Sequence, residues 1–169
     1  MRIYKITTRH SQLTDVSTPH TQSDISGVGF QKAIILPYDY SEIVQGDWTL
    51  YATSSQFLNG YFENTNTHAN GDAVKYYIYL AKGTYTIIML GAKKNNFGIL
   101  GIDIDDTNVA NFDLYDASTS VVYNQRFIQT GINVTSDGIK TIKIYVNGKN
   151  ANSSDYYVQF SYIIFVRTA

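Results

Sequence analysis

From residue 47 onward the chain is a succession of short segments rich in Ile, Val, Tyr and Thr, punctuated by Gly, Asn and Asp turn signals every roughly 8 to 12 residues. That spacing leaves no room for alternating strands and crossover helices, whose connections take a dozen or more residues each. Segment 73–80 alternates, placing Tyr76, Ile78 and Leu80 on one face and Lys75, Tyr77 and Tyr79 on the other. Segment 139–146 does the same, with Ile142, Ile144 and Val146 set against Thr141, Lys143 and Tyr145. Helix-forming runs of Ala, Leu, Glu and Lys are missing, whereas 15 Tyr and 8 Phe add to the β-favouring content. The expected fold class is all-β, an antiparallel β-sandwich.

Further strands are expected at 27–36, 48–52, 57–62, 84–90, 97–105, 109–115, 126–134 and 156–166. Pro37 ends the first because it cannot donate to a ladder. Residues 64–72 read as a polar loop and 106–108 as a hairpin turn. In the last segment Val158, Phe160, Tyr162 and Ile164 share one face while Ile163 and Phe165 occupy the other, which suits a central strand buried on both sides. Near the N-terminus, 2–8 reads as one strand and 10–26 as a polar arm without period. The organisation is therefore an N-terminal arm with accessory strands over 1–45 and one sandwich domain over 46–169.

Charge and composition remove several function classes. A net charge of -1 and the lack of any Lys/Arg run argue against nucleic acid as a partner. With no cysteine there are no disulfides, no thiolate chemistry and no Cys-ligated zinc. Polar residues follow Met1 to Lys5 where a secretory signal would be apolar, and no stretch approaches the ~20 apolar residues of a membrane span. Membrane insertion is not expected. His10, His20 and His68 fall in polar stretches, and no Gly-x-Ser-x-Gly, His-Glu-x-x-His or phosphate loop organises them, so the chain reads as no enzyme. Glu63 and Asp72 are carboxylates that could flank a glycosidic bond, but their spacing does not show it. Trp48 is read as a core anchor in preference to a pocket wall.

What remains is binding. Tyr115, Tyr123, Asn124 and Gln125 cluster near one loop, and flat phenol faces with amides are suited to sugar C–H groups and hydroxyls. Packing of these tyrosines on the sheet or on neighbouring subunits is the alternative. Asp103, Asp105 and Asp106, near Asn108, supply the hard oxygen ligands calcium prefers, solvated turn formation being the other reading. Calcium is the one cofactor these residues suggest.

Residues 71–76 (GDAVKY) and 80–86 (LAKGTYT) resemble the family 6 and 35 carbohydrate-binding modules, which are galactose-binding-like jelly rolls. Residues 98–106, 138–143 (GIKTIK) and 160–165 (FSYIIF) follow in the family's order, so the resemblance covers about 46–169. It implies a jelly roll. It also implies a sugar cleft at Phe97, Tyr123 and Gln159, which stand at the places of the family's two aromatic residues and its asparagine. The paired glutamates of that family's structural calcium site have no counterpart here.

The same run, with 143–150 (KIYVNGKN) and 153–157 (SSDYY), is also similar to jelly-roll domains of bacteriophage structural and receptor-binding proteins. That likeness implies a virion component of a tail or head appendage, assembled in the host cytoplasm. It would be attached through its arm to other virion proteins, self-associated as a trimer, and able to bind host glycan. The alternative function is a stand-alone carbohydrate-binding module or lectin-like domain.

Overall fold

The computed structural model describes residues 32–52, 54–57 and 60–169. The strand expected at 2–8, the arm expected at 10–26 and the 27–31 part of the strand expected at 27–36 lie outside the described residues. Among the described residues eleven strands follow one another: β1 (Lys32–Ile35), β2 (Glu42–Gln45), β3 (Asp47–Tyr51), β4 (Tyr61–Thr65), β5 (Ala73–Leu80), β6 (Gly83–Lys93), β7 (Gly98–Ile104), β8 (Thr107–Asp113), β9 (Val122–Val134), β10 (Gly138–Lys149) and β11 (Gln159–Arg167). One sheet has the order β3-β4-β11-β6-β9, with β1 added beside the far end of β11, and the other the order β2-β5-β10-β7-β8. All named strand pairs are antiparallel. This is the all-β sandwich the alternation predicts.

The inner faces carry the core. Val74, Tyr76 and Leu80 of β5, Ile142, Ile144 and Val146 of β10, and Leu100 and Ile102 of β7 come from one sheet. Tyr85, Ile87 and Met89 of β6 and Ile163 and Phe165 of β11 come from the other. Burial of each such side chain contributes about 1.5–3 kcal/mol, which is why a period of two over eight residues fixes the register of β5 so firmly. Trp48 is in this core, as expected, with its ring 5.3 Å from Phe62 and its indole N–H donated to the Gln45 carbonyl.

Three local features depart from the pattern read in the sequence. A bulge between Phe160 and Tyr162 reverses the phase of β11, so Val158 and Phe160 are buried together with Ile163 and Phe165, while Tyr162 and Ile164 are only half-buried. β11 is nevertheless central, flanked by β6 on one side and by β4 and β1 on the other. Phe57 is in no strand, and β4 instead runs from Tyr61 to Thr65. Glu42–Gln45 forms an edge strand with all four residues exposed, so burial imposes no alternation on it. Pro37 ends β1 as expected and opens a single 3-10 turn, Pro37–Asp39.

Candidate functional site

Five stretches of chain meet at one cleft of about 270 Å³. β4 brings Tyr61 and Glu63, and the β4–β5 loop brings His68. The β6–β7 connection brings Lys94, Asn96 and Phe97, the start of β9 brings Val121 and Tyr123, and the approach to β11 brings Tyr157 and Gln159.

The loops around the cleft are held by buried polar groups. Asn64, with no exposed surface, accepts from the Val158 N–H (2.8 Å) and donates to the Tyr156 carbonyl (3.2 Å) and to Asp72 Oδ2 (3.1 Å). Asp72 Oδ2 also accepts from Thr67 Oγ1 and from the Ala69 N–H, so the β4–β5 loop is wrapped around this carboxylate. Asp72 is thus fully engaged and does not face Glu63 across a cleft as a catalytic pair would. On the other wall, the Gly98 N–H donates to the Tyr157 carbonyl (2.7 Å) and the Tyr157 N–H to the Asn96 carbonyl (3.3 Å). Both ends of Tyr157 are fixed.

Aromatic rings support one another around this frame. Buried Phe57 packs behind Tyr61 (5.6 Å) and edge-on to Tyr123 (5.7 Å), while Tyr51 stacks on Tyr61 at 4.6 Å. Phe97 and His68 each contact the Tyr157 ring at 4.7 Å. The half-buried rings of Tyr61, Tyr123 and Tyr157 are left to offer surface to a ligand, whereas Phe97, 1% exposed, lies behind them.

Glu63 is the buried charge of the cleft. Its carboxylate accepts the Tyr157 hydroxyl. Burial pushes its carboxyl above the ordinary carboxylate range, against the hydroxyls of Tyr157 and Tyr51 and the His68 ring, which pull it down. Burial, followed by the charge of Glu63, pushes the Tyr61 hydroxyl up to about 12, and burial with the Glu63 hydrogen bond pushes Tyr157 up as well. These phenols are neutral donors at physiological pH. His68 Nδ1 lies 2.7 Å from Asp155 Oδ2. Asn96 Oδ1 is buried without a hydrogen-bond partner, a position that costs stability unless something donates to it. A larger hollow of about 350 Å³ lies between β1 and β5, but its lining holds no buried polar atom in that state.

Three of the residues singled out in the sequence, Phe97, Tyr123 and Gln159, converge on the cleft. Gln159 is 3% exposed and stands opposite Glu63 in the strand register. Tyr115 and Asn124 do not line it. Tyr115 bridges the backbone of Lys94 from outside, and exposed Asn124 has positive φ within the bulge that separates the Gly91 and Lys93 pairings of β9. Tyr61, Lys94, Asn96 and Tyr157 are additions from the structure, while Glu63 and His68, weighed in the sequence only as catalytic groups, join the cleft as binding residues.

Asp103, Asp105 and Asp106 do not share the face that the alternation predicts. Asp105 and Asp106 form a tight turn with φ of 48° and 62°, which breaks the strand phase that would have put Asp103 and Asp105 on one face. Asp103 pairs with Lys143 (2.6 Å) and Asp105 with Lys140 (3.1 Å), and those lysines, three residues apart on β10, project to opposite sides of the sheet. Among the described residues, no three His, Asp or Glu side chains converge as metal ligands.

No protein-family model matches the sequence, and no curated protein does. Solved structures match the fold. A Paenibacillus xanthan lyase superposes with a TM-score of 0.61 at 23% identity, over 79% of this chain and 12% of the lyase. The CBM36-1 domain of a multidomain xylanase from the hindgut metagenome of Trinervitermes trinervoides matches at 0.58 and 18% identity, over 80% of this chain and 96% of the domain. The C-terminal CBM6 of LamC, a marine laminarinase from Zobellia galactanivorans, matches at 0.55 and 15% identity, over 82% and 100%.

The fold is that of carbohydrate-binding-module jelly rolls. The chain thus spans a small part of the lyase but nearly the whole of each module. The likeness to phage jelly rolls read in the sequence has no counterpart among these three structures.

Proposed function

We propose that this chain is a non-enzymatic glycan-binding module that seats a sugar in the cleft between Tyr61, Tyr123 and Tyr157. One observation carries the reading. Half-buried phenol faces surround a buried carboxylate and an amide oxygen, Asn96 Oδ1, that lacks a donor among the described residues. Sugar hydroxyls are donors, and sugar C–H faces stack on phenols. The fold shared with carbohydrate-binding modules supports the reading, as does the arrival of Phe97, Tyr123 and Gln159 at one cleft.

The trimer, the attachment to virion proteins and the calcium ion expected from the sequence form no part of this proposal. The test is a glycan array followed by titration of the bound glycans into Tyr123→Ala and Tyr61→Ala proteins. The proposal expects binding that falls by about tenfold or more in each variant, the scale of one lost stacking contact with its burial. Absence of any glycan binding, or variants that bind as wild type does, would overturn it.

A further inference from the structure

The cleft holds one charge that nothing among the described residues uses. Among the described residues six lysines are at least half-buried: Lys75, Lys93, Lys94, Lys140, Lys143 and Lys149. Lys75 pairs with Glu42, Lys140 with Asp105 and Lys143 with Asp103. Lys93 lies over the Phe127 ring and Lys149 over the Tyr156 ring. Lys94 alone of the six has no carboxylate, hydrogen-bond acceptor or ring for its ammonium among the described residues. It is also the one of the six that lines the cleft.

The backbone of Lys94 is committed on both sides. Its N–H donates to the Leu114 carbonyl (3.2 Å), and its carbonyl accepts from the Phe97 and Asp116 N–H groups (3.2 and 3.1 Å). The residue is thereby placed, and only its side chain is uncommitted. The other charges of the cleft are answered within the protein. Glu63 accepts the Tyr157 hydroxyl, and His68 faces Asp155 at 2.7 Å. An ammonium without a partner at a cleft wall is open to an anion supplied by a ligand, and charge-assisted hydrogen bonds are the strong ones.

We infer that the sugar seated here is anionic, its acid group meeting the Lys94 ammonium while its hydroxyls meet Asn96 Oδ1 and the tyrosine hydroxyls. The inference rests on the glycan-binding reading and adds the ligand class. A carboxylate, as in a uronic acid, and a sulfate ester share the chemistry that a single ammonium recognises.

The experiment titrates matched sets of oligosaccharides into the full chain: neutral, uronic-acid-containing and sulfated. Each set is repeated with Lys94→Met and Lys94→Arg, and melting curves verify that both variants are folded. The expected result is a preference for one acidic set that weakens with added salt, falls about ten- to a hundredfold in Lys94→Met and is kept in Lys94→Arg. The set preferred distinguishes carboxylate from sulfate. Binding of neutral sugars at equal strength by wild type and Lys94→Met would overturn the inference and leave the glycan-binding reading standing. Binding of no set at all would overturn both.

Discussion

The Tyr157 hydroxyl donates to the Glu63 carboxylate across the junction of β4 and β11, two residues before Gln159 takes its place opposite Glu63 in the sheet. A buried carboxylate in this position answers two needs. It fixes the Tyr157 ring at the cleft wall, and it supplies an acceptor beside Tyr61 and His68.

Glu63 should leave a mark on the pH dependence of stability. Because burial raises its folded pKa, its contribution is full below the unfolded value of about 4.3 and is lost as pH rises through the raised folded value. Glu63→Gln removes that loss while keeping an acceptor for Tyr157. The melting temperature of the variant relative to wild type should therefore climb between about pH 4 and pH 7. A difference that stays flat or shrinks over that range would show that Glu63 is not buried as described.

Asn64→Ala should be among the most damaging substitutions near the cleft. It strands the Val158 N–H and the Tyr156 carbonyl and takes one donor from Asp72, all in a buried setting. The expected cost is about 2–4 kcal/mol in denaturant unfolding. A cost under about 0.5 kcal/mol, the range of an ordinary surface change, would contradict the placement of this side chain.

Two glycines with positive φ should respond very differently to alanine. At Gly60 a Cβ would lie 2.1 Å from the Tyr51 carbonyl oxygen, whereas at Gly131 it would meet nothing within 4 Å. Gly131→Ala then carries only backbone strain, about 1–2 kcal/mol, and Gly60→Ala adds a clash with main chain that cannot give way. Equal melting temperatures for the two variants would argue against the turn into β4.

Calcium should leave the Asp103 to Asp106 turn unchanged. With Asp103 and Asp105 bound to lysines on opposite faces of β10, no set of oxygens converges there. The melting temperatures of wild type and of Asp105→Asn should differ by the same amount in calcium and in chelator. A calcium-dependent rise present in wild type and lost in Asp105→Asn would place an ion at the turn.

The contrast between what could be read from the sequence and what could not has a physical basis. Where one face is buried the side chains must alternate, so Ala73–Leu80 and the middle of β10 declare themselves. β2 is exposed throughout and carries no such constraint, and the bulge in β11 shifts the phase of an otherwise clear alternation. Phe57 is as hydrophobic as any core residue and is buried, yet in a loop, because its task is to back Tyr61 and Tyr123. The resemblance to binding modules pointed to Phe97, Tyr123 and Gln159, which do meet. Glu63 and Tyr157 are 94 residues apart, and His68 and Asp155 are 87 apart. No local pattern announces such pairs. The shared face expected for Asp103 and Asp105 is lost for a related reason, since a left-handed turn ends the alternation.

The central claim is that the Tyr61, Tyr123 and Tyr157 cleft is where a glycan sits. Its most direct test is nitrogen-15 NMR of the labelled chain during titration with the best glycan from an array. Shift changes should concentrate on the amides of Tyr61, Glu63, Asn96, Tyr123 and Tyr157 and spare the Asp105–Asp106 turn. Changes clustered on the outer face of the five-stranded sheet, or at β1 and β5, would contradict the assignment of the site.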